Sequence, residues 1–162
     1  MKDIPEIVSS FKNIGWNKPS SLYESYLNEQ DQNKRTILVA KINNQFCGYV
    51  TIKWKSDYQY FIDNNIPEIS DLNVLPTYRK KGIGTALIKK CEKIARDHGH
   101  FKVGLGVGMT RDYGSAQRLY FHLGYVPDGN GLYHNYKAVN YSDTVTADDN
   151  LVIFLTKKVE MT

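Results

Sequence analysis

Apolar residues recur at Ile4, Ile7, Val8, Phe11 and Ile14, the spacing of one helical face. They predict a helix over 4–14, with Gly15 as its stop. A second helix is expected after Pro19, capped by Ser20 or Ser21, with Leu22, Tyr23, Tyr26 and Leu27 on one side. The apolar run 36–42 then predicts a strand, Asn43-Asn44 a turn, and 46–54 a returning strand. The polar and aromatic stretch 55–65, with Tyr58, Tyr60 and Phe61, reads as a loop or strand extension. A third strand covers 68–74 and ends at Leu75-Pro76, since proline cannot donate to a ladder. A long amphipathic helix follows over about 82–98. Leu87, Ile88, Cys91, Ile94 and Ala95 form its apolar face, and Lys89, Lys90, Lys93 and Arg96 cover the other. Alternation over 102–107 predicts a strand, with Val103, Leu105 and Val107 on one side. Ala116, Leu119, Tyr120 and Leu123 predict a helix over 115–123, ended by Gly124. A variable loop, a weak strand near 133–139 and a clear strand over 151–156 complete the chain. The order is α-α-β-β-β-α-β-α-β-β in one α/β (α+β) domain, with too few βα alternations for a doubly wound sheet.

The candidate chemistry lies at the mouth of the long helix. Arg79-Lys80-Lys81-Gly82-Ile83-Gly84-Thr85 puts three cations and two glycines where a strand gives way to that helix. A helix N-terminus exposes unpaired N–H groups and a partial positive charge, and glycine lets a phosphate approach the main chain. The segment therefore predicts a seat for a phosphorylated ligand. It is not a Walker A loop, because no G-x-x-x-x-G-K-[ST] string occurs. It is also a poor dinucleotide fingerprint. Leu87 stands at the third glycine position, about seven residues separate strand from helix, and the next strand ends in Val107-Gly108-Met109 without a carboxylate for a ribose.

Arg79, Gly82 and Gly84 occupy the fixed positions of [RQ]-x-x-G-x-[GA], and the segment resembles the acetyl-CoA-binding motif of the GNAT (GCN5-related N-acetyltransferase) superfamily. The flanks strengthen the likeness. Asp71-Leu72-Asn73-Val74-Leu75-Pro76 precedes the motif, and Leu119-Tyr120-Phe121-His122-Leu123-Gly124-Tyr125 is similar to the family's L-Y-x-x-x-G-[FY] signature. The resemblance spans about residues 4–158 and implies a mixed, mostly antiparallel sheet flanked by helices. The family's usual first strand is missing here or very short. A further departure is Tyr113, which stands where many members carry an asparagine, and leaves Ser115 as a replacement cofactor contact.

The resemblance also implies roles. The N–H groups of Lys81, Gly82, Ile83, Gly84 and Thr85, aided by Arg79 and Lys80, would hold the pyrophosphate of coenzyme A. The main chain of Leu72, Asn73 and Val74, splayed from the strand at 102–107, would pair with pantetheine, and an N–H near Val74 would polarise the thioester carbonyl. Tyr120 matches the tyrosine placed near the sulfur as general acid, against the plain alternative of a core aromatic. Glu68 lies fourteen positions before Gly82, where some members keep a base, against the alternative of a solvated strand-edge carboxylate. Asp71 could orient water, and His122 and His134 read as surface or loop histidines. Trp16, Tyr23, Tyr26, Tyr58, Tyr60 and Tyr133 are candidate walls of an acceptor pocket, with Glu24 or Glu29 as partners for an amine.

Composition narrows this reading little. Of 162 residues 41% are hydrophobic and 23% charged, as in an ordinary soluble domain. A net charge of +4 suits an anionic ligand and is too small to argue for nucleic acid. No signal sequence or bilayer-length apolar run is present. Cys47 and Cys91, far apart and without metal-ligand spacing, fit a reducing cytoplasm and core packing. The expectation is a cytoplasmic acetyl-CoA-dependent N-acetyltransferase with a small-molecule or peptide amine as acceptor. Neither a metal, nucleic acid nor a membrane is expected as partner. Dimers are frequent in the superfamily, which leaves a homodimer open. The alternative is a non-enzymatic acyl-CoA-binding sensor.

Overall fold

Pro5 near the start and Gly15 after the end bracket the first helix, α1 (Ile4–Asn13), in the computed structural model, which describes residues 3–160. The remaining elements are α2 (Ser20–Asp31), β1 (Arg35–Ile42), β2 (Gln45–Lys53), α3 (Gln59–Asp63), β3 (Glu68–Val74), α4 (Ile83–Asp97), β4 (Lys102–Gly108), α5 (Gly114–His122), β5 (Val126–His134), β6 (Lys137–Ala138) and β7 (Leu151–Lys158). The mixed α/β class and the mostly antiparallel sheet expected from the sequence are present. Three expectations are corrected. The second helix takes Pro19 as its cap residue, and no serine side chain caps it. The stretch 55–65 is neither loop nor strand throughout but holds the short helix α3, because Tyr58 and Phe61 bury their rings through a helical turn. The strand expected near 133–139 is two: β5 runs from 126 to 134, and a turn at Asn135-Tyr136, both left-handed, reverses the chain into β6.

The residues form two units. The first comprises residues up to 54 and 69–91, and the second 55–68 and those from 92 onward. In the first, β1 and β2 form an antiparallel hairpin through Asn43-Asn44, both left-handed as the primed turn requires. β3 lies beside β2, and the Leu75 N–H donates to Cys47 O at 2.9 Å. Gly48 of β2 makes that approach possible, since a Cβ there would sit 2.6 Å from Asn73 O. α1 and α2 cover the hairpin through Ile7, Phe11, Tyr23, Phe46, Tyr49 and Leu75, the unit's aromatic-rich core.

In the second unit the order is β4-β7-β5-β6, antiparallel throughout, and Glu68 pairs with Gly104 in parallel register. Its core joins Tyr58, Phe61, Ile66 and Phe154, and the Tyr58 and Phe154 rings stack at 3.7 Å. Both cysteines are buried and unbridged. Among the described residues no helix is long and apolar enough to cross a membrane, and no group of three or more His, Cys, Asp or Glu could hold a metal ion.

Candidate active site

The end of β3 and the start of α4 are joined by a loop whose shape is set residue by residue. Leu75 is buried and anchors the strand end, and Pro76 opens a 3-10 turn over Pro76–Tyr78. Lys80 (φ +57°) and Gly82 (φ +80°) are both left-handed, which turns the chain back into α4. The Gly82 carbonyl accepts the first helical bond, from Ala86 N–H at 2.9 Å, so Gly82 stands at the cap and the N–H groups of Ile83, Gly84 and Thr85 lack helical partners. A Cβ built on Gly82 would meet nothing within 4 Å. The space beside this main chain is open, and a phosphate oxygen fits where a side chain would project. Donor type and open space both suit a pyrophosphate. Arg79 folds back on the strand: its Nε donates to Val74 O at 3.1 Å, and its guanidinium lies 5.5 Å from the centre of the Trp16 ring. Lys81 Nζ lies 5.5 Å from the Tyr78 ring centre.

Three residues before Val74, β3 carries Asp71, which the sequence offers as a group to orient water, and whose surroundings the sequence does not reveal. Asp71 is left-handed at φ +53°, a strained conformation for a residue with a Cβ. Four side-chain donors hold its carboxylate. Lys18 Nζ (3.0 Å) and Asn73 Nδ2 (2.7 Å) donate to Oδ1, and Tyr26 Oη (3.0 Å) and Tyr49 Oη donate to Oδ2. Burial alone would raise the Asp71 carboxyl. The Lys18 charge and the hydroxyls of Tyr49 and Tyr26 outweigh it and hold the group below the usual carboxylate range. Burial in turn raises Tyr49 and Tyr26, and pushes Tyr23 up to about 12, so all three phenols stay protonated.

The network continues through Tyr26 to a buried arginine. Arg35 lies over the Tyr26 ring at 4.1 Å and donates to Glu29 Oε2 (2.7 Å), Thr51 Oγ1 (2.6 Å) and Ser70 Oγ (3.3 Å). Glu29 is thus engaged by Arg35, while Tyr23 and Trp16 pack in or against the core.

In the second unit, Glu68 is 5% exposed and its Oε2 accepts from Ser56 Oγ at 2.6 Å. It is therefore not a solvated edge carboxylate. Tyr120 is buried on α5, with its ring 6.1 Å from that of Tyr125. Ser115 is exposed in the first turn of the same helix. Tyr113 is committed elsewhere: its hydroxyl donates to Asp149 Oδ1 at 2.9 Å, and its ring fills the space a Cβ on Gly108 would need. Tyr58 donates to Asp128 Oδ2 at 2.7 Å and, with Tyr60 and Tyr133, belongs to the aromatic core cluster. His134 pairs with Asp148 at 3.0 Å, and His122 is exposed at the end of α5.

Lys18, Tyr49 and Arg35 are the polar residues that sequence patterns miss. The available hint is the polar triad Ser70, Asp71 and Asn73 in a strand otherwise suited to burial.

The model of the Acetyltransferase (GNAT) family matches residues 1–125. An uncharacterized N-acetyltransferase of Mycobacterium tuberculosis is 30% identical over 125 residues, which cover 77% of this chain and 71% of that one. In three dimensions the chain is similar to an N-acetyltransferase from Staphylococcus aureus (TM-score 0.72, 14% identity, 98% of this chain and 94% of that one). It is also similar to an acetyltransferase from Salmonella typhimurium solved with its cofactor acetyl-CoA (TM-score 0.70, 15% identity, 99% and 91%). A family match that runs from the first helix to Tyr125, through the glycine loop and the tyrosine helix, settles the lineage: the chain belongs to the GNAT acetyltransferase family.

Proposed function

We propose that this chain transfers an acetyl group from acetyl-CoA to a primary amine of a small-molecule or peptide acceptor by direct attack. The observation that carries the reading is the open, left-handed Gly82 at the start of α4, directly after the strand that would hold the thioester. The acetyl-CoA found with the Salmonella relative supports the choice of donor.

In this reading the N–H groups of Lys81–Thr85, with Lys80 beside them, bind the pyrophosphate. Arg79 braces the seat against the end of β3 through Val74 O. The main chain of Leu72, Asn73 and Val74 binds the pantetheine amides, and a β3 N–H polarises the thioester carbonyl. Ser115 makes a secondary contact. Attack needs a neutral amine, so a base must take a proton and an acid must supply one to the leaving sulfur. We assign the base to Glu68, whose burial and Ser56 hydrogen bond fix its carboxylate, and the acid to Tyr120.

Isothermal calorimetry with acetyl-CoA and a thiol-release assay over a panel of amines test the proposal. Heat of binding with thiol release supports it. Binding without turnover would return the chain to a sensor module, and no binding would end the reading. Tyr120→Phe is expected to lower kcat by roughly ten- to a thousandfold with acetyl-CoA affinity retained. A wild-type rate would leave Tyr120 as a packing partner of Tyr125. Glu68→Gln is expected to lower kcat by about a hundredfold or more, the usual range for a lost general base. An unchanged pH–rate profile in that variant would remove Glu68 from the mechanism.

A further inference from the structure

The proposed transfer needs a primary amine beside β3, and the protein itself holds one against a side chain of that strand. Lys18 Nζ donates to Asp71 Oδ1 at 3.0 Å and to Tyr49 Oη at 2.9 Å. Asn73 Nδ2 donates to the same two oxygens, at 2.7 and 3.3 Å. Two nitrogens that share two acceptors are neighbours, so the Lys18 amine stands against Asn73, the middle residue of the segment assigned to the thioester. The Phe11 ring, its centre 5.6 Å away, packs beside the ammonium on the core side, and Tyr49 meets it through its hydroxyl. The Lys18 side chain keeps 20% exposure, so one flank is open.

We propose that Lys18 is an acetyl acceptor in cis, so that the protein modifies itself at this position. The inference rests on the reading above, in which acetyl-CoA lies along β3. The Lys18 ammonium gives up one proton to water through its exposed flank. The freed lone pair forms a bond to the acetyl carbonyl carbon. The C–S bond breaks, and the sulfur leaves with its electron pair and is protonated. One ammonium and one thioester become one amide, one thiol and one proton, with no change of oxidation state. An amine already held on the strand assigned to the thioester needs no encounter, which is where intramolecular reactions gain their rate. The product is neutral, so the modification removes the counter-charge of Asp71.

The test incubates the purified full-length chain with isotopically labelled acetyl-CoA and no added amine, and follows intact mass and peptide maps. One acetyl group is expected on Lys18, added at least about tenfold faster than on the exposed Lys89 and Lys90. The rate per molecule should be unchanged when protein concentration is varied. Labelling of Lys18 no faster than Lys89 and Lys90, or a rate that rises with protein concentration, overturns the proposal. Lys18→Arg keeps the cation and should lose the concentration-independent adduct; its persistence on another lysine would also overturn it. Calorimetry and thiol release with external amines run in parallel. Binding and turnover with an unmodified Lys18 refute the inference and leave the enzyme standing, whereas absent binding and absent thiol refute both.

Discussion

Gly82→Glu is expected to weaken acetyl-CoA binding by at least about a hundredfold while leaving a folded protein. Two effects act on the ligand. The new side chain would project into the open space beside the cap, where no protein atom lies within 4 Å and where the pyrophosphate is placed. Its carboxylate would then face a phosphate, and a like-charge pair in such a position costs several kcal/mol. The cost to the fold is smaller. A residue with a Cβ at φ +80° loses about 1–2 kcal/mol, and no steric clash adds to it. Gly82→Ala separates the two contributions: it carries the same backbone cost without the charge, so its binding loss should be about tenfold by the exclusion of one close main-chain approach. Calorimetry with acetyl-CoA and thermal denaturation check both variants. Normal affinity in the glutamate variant would mean that the phosphate seat lies elsewhere.

Much of this site is legible in the sequence because local rules dictate it. A proline that ends a strand, a glycine that caps a helix and an apolar stripe every three to four residues each act over a few positions, and α4 and its approach follow from them. The helix α3 is not legible for the opposite reason. Its five residues carry no periodic signal, and it exists because Tyr58 and Phe61 bury against Phe154, some ninety residues on. The Asp71 cage is hidden in the same way. Its ligands come from the α1–α2 connection, α2, β2 and β3, and nothing in the spacing of Lys18, Tyr26, Tyr49 and Asn73 announces that they converge. Glu68 shows the limit on the functional side. Its position suggests a base or an edge carboxylate, and only its burial and the Ser56 bond separate those two environments.

Asp71→Ala is expected to destabilise the fold by about 3–5 kcal/mol, the cost of stripping a partner from a largely buried ion pair. The Lys18 ammonium would lose its counter-ion, and the hydroxyls of Tyr26 and Tyr49 their acceptor. Alanine would also have to hold φ +53° without the side-chain bonds that now support it. Asp71→Asn should lose less, since asparagine tolerates the left-handed region and keeps one acceptor oxygen. The sign of the pH effect follows from the depressed carboxyl. Its folded pKa lies below the unfolded value, so its contribution is fully present above the ordinary aspartate range, near pH 4, and is lost as pH falls through the folded value. Urea unfolding should therefore show the full gap between wild type and Asp71→Asn at pH 6–7, narrowing below about pH 4. The strain at Asp71 lies three residues from Val74, and the cage that pays for it also shapes the β3 segment assigned to the thioester. A stable Asp71→Asn protein with impaired kcat and intact acetyl-CoA affinity is the expected kinetic counterpart. A gap that stayed constant down to pH 3 would show that Asp71 is not the ionised centre of this network.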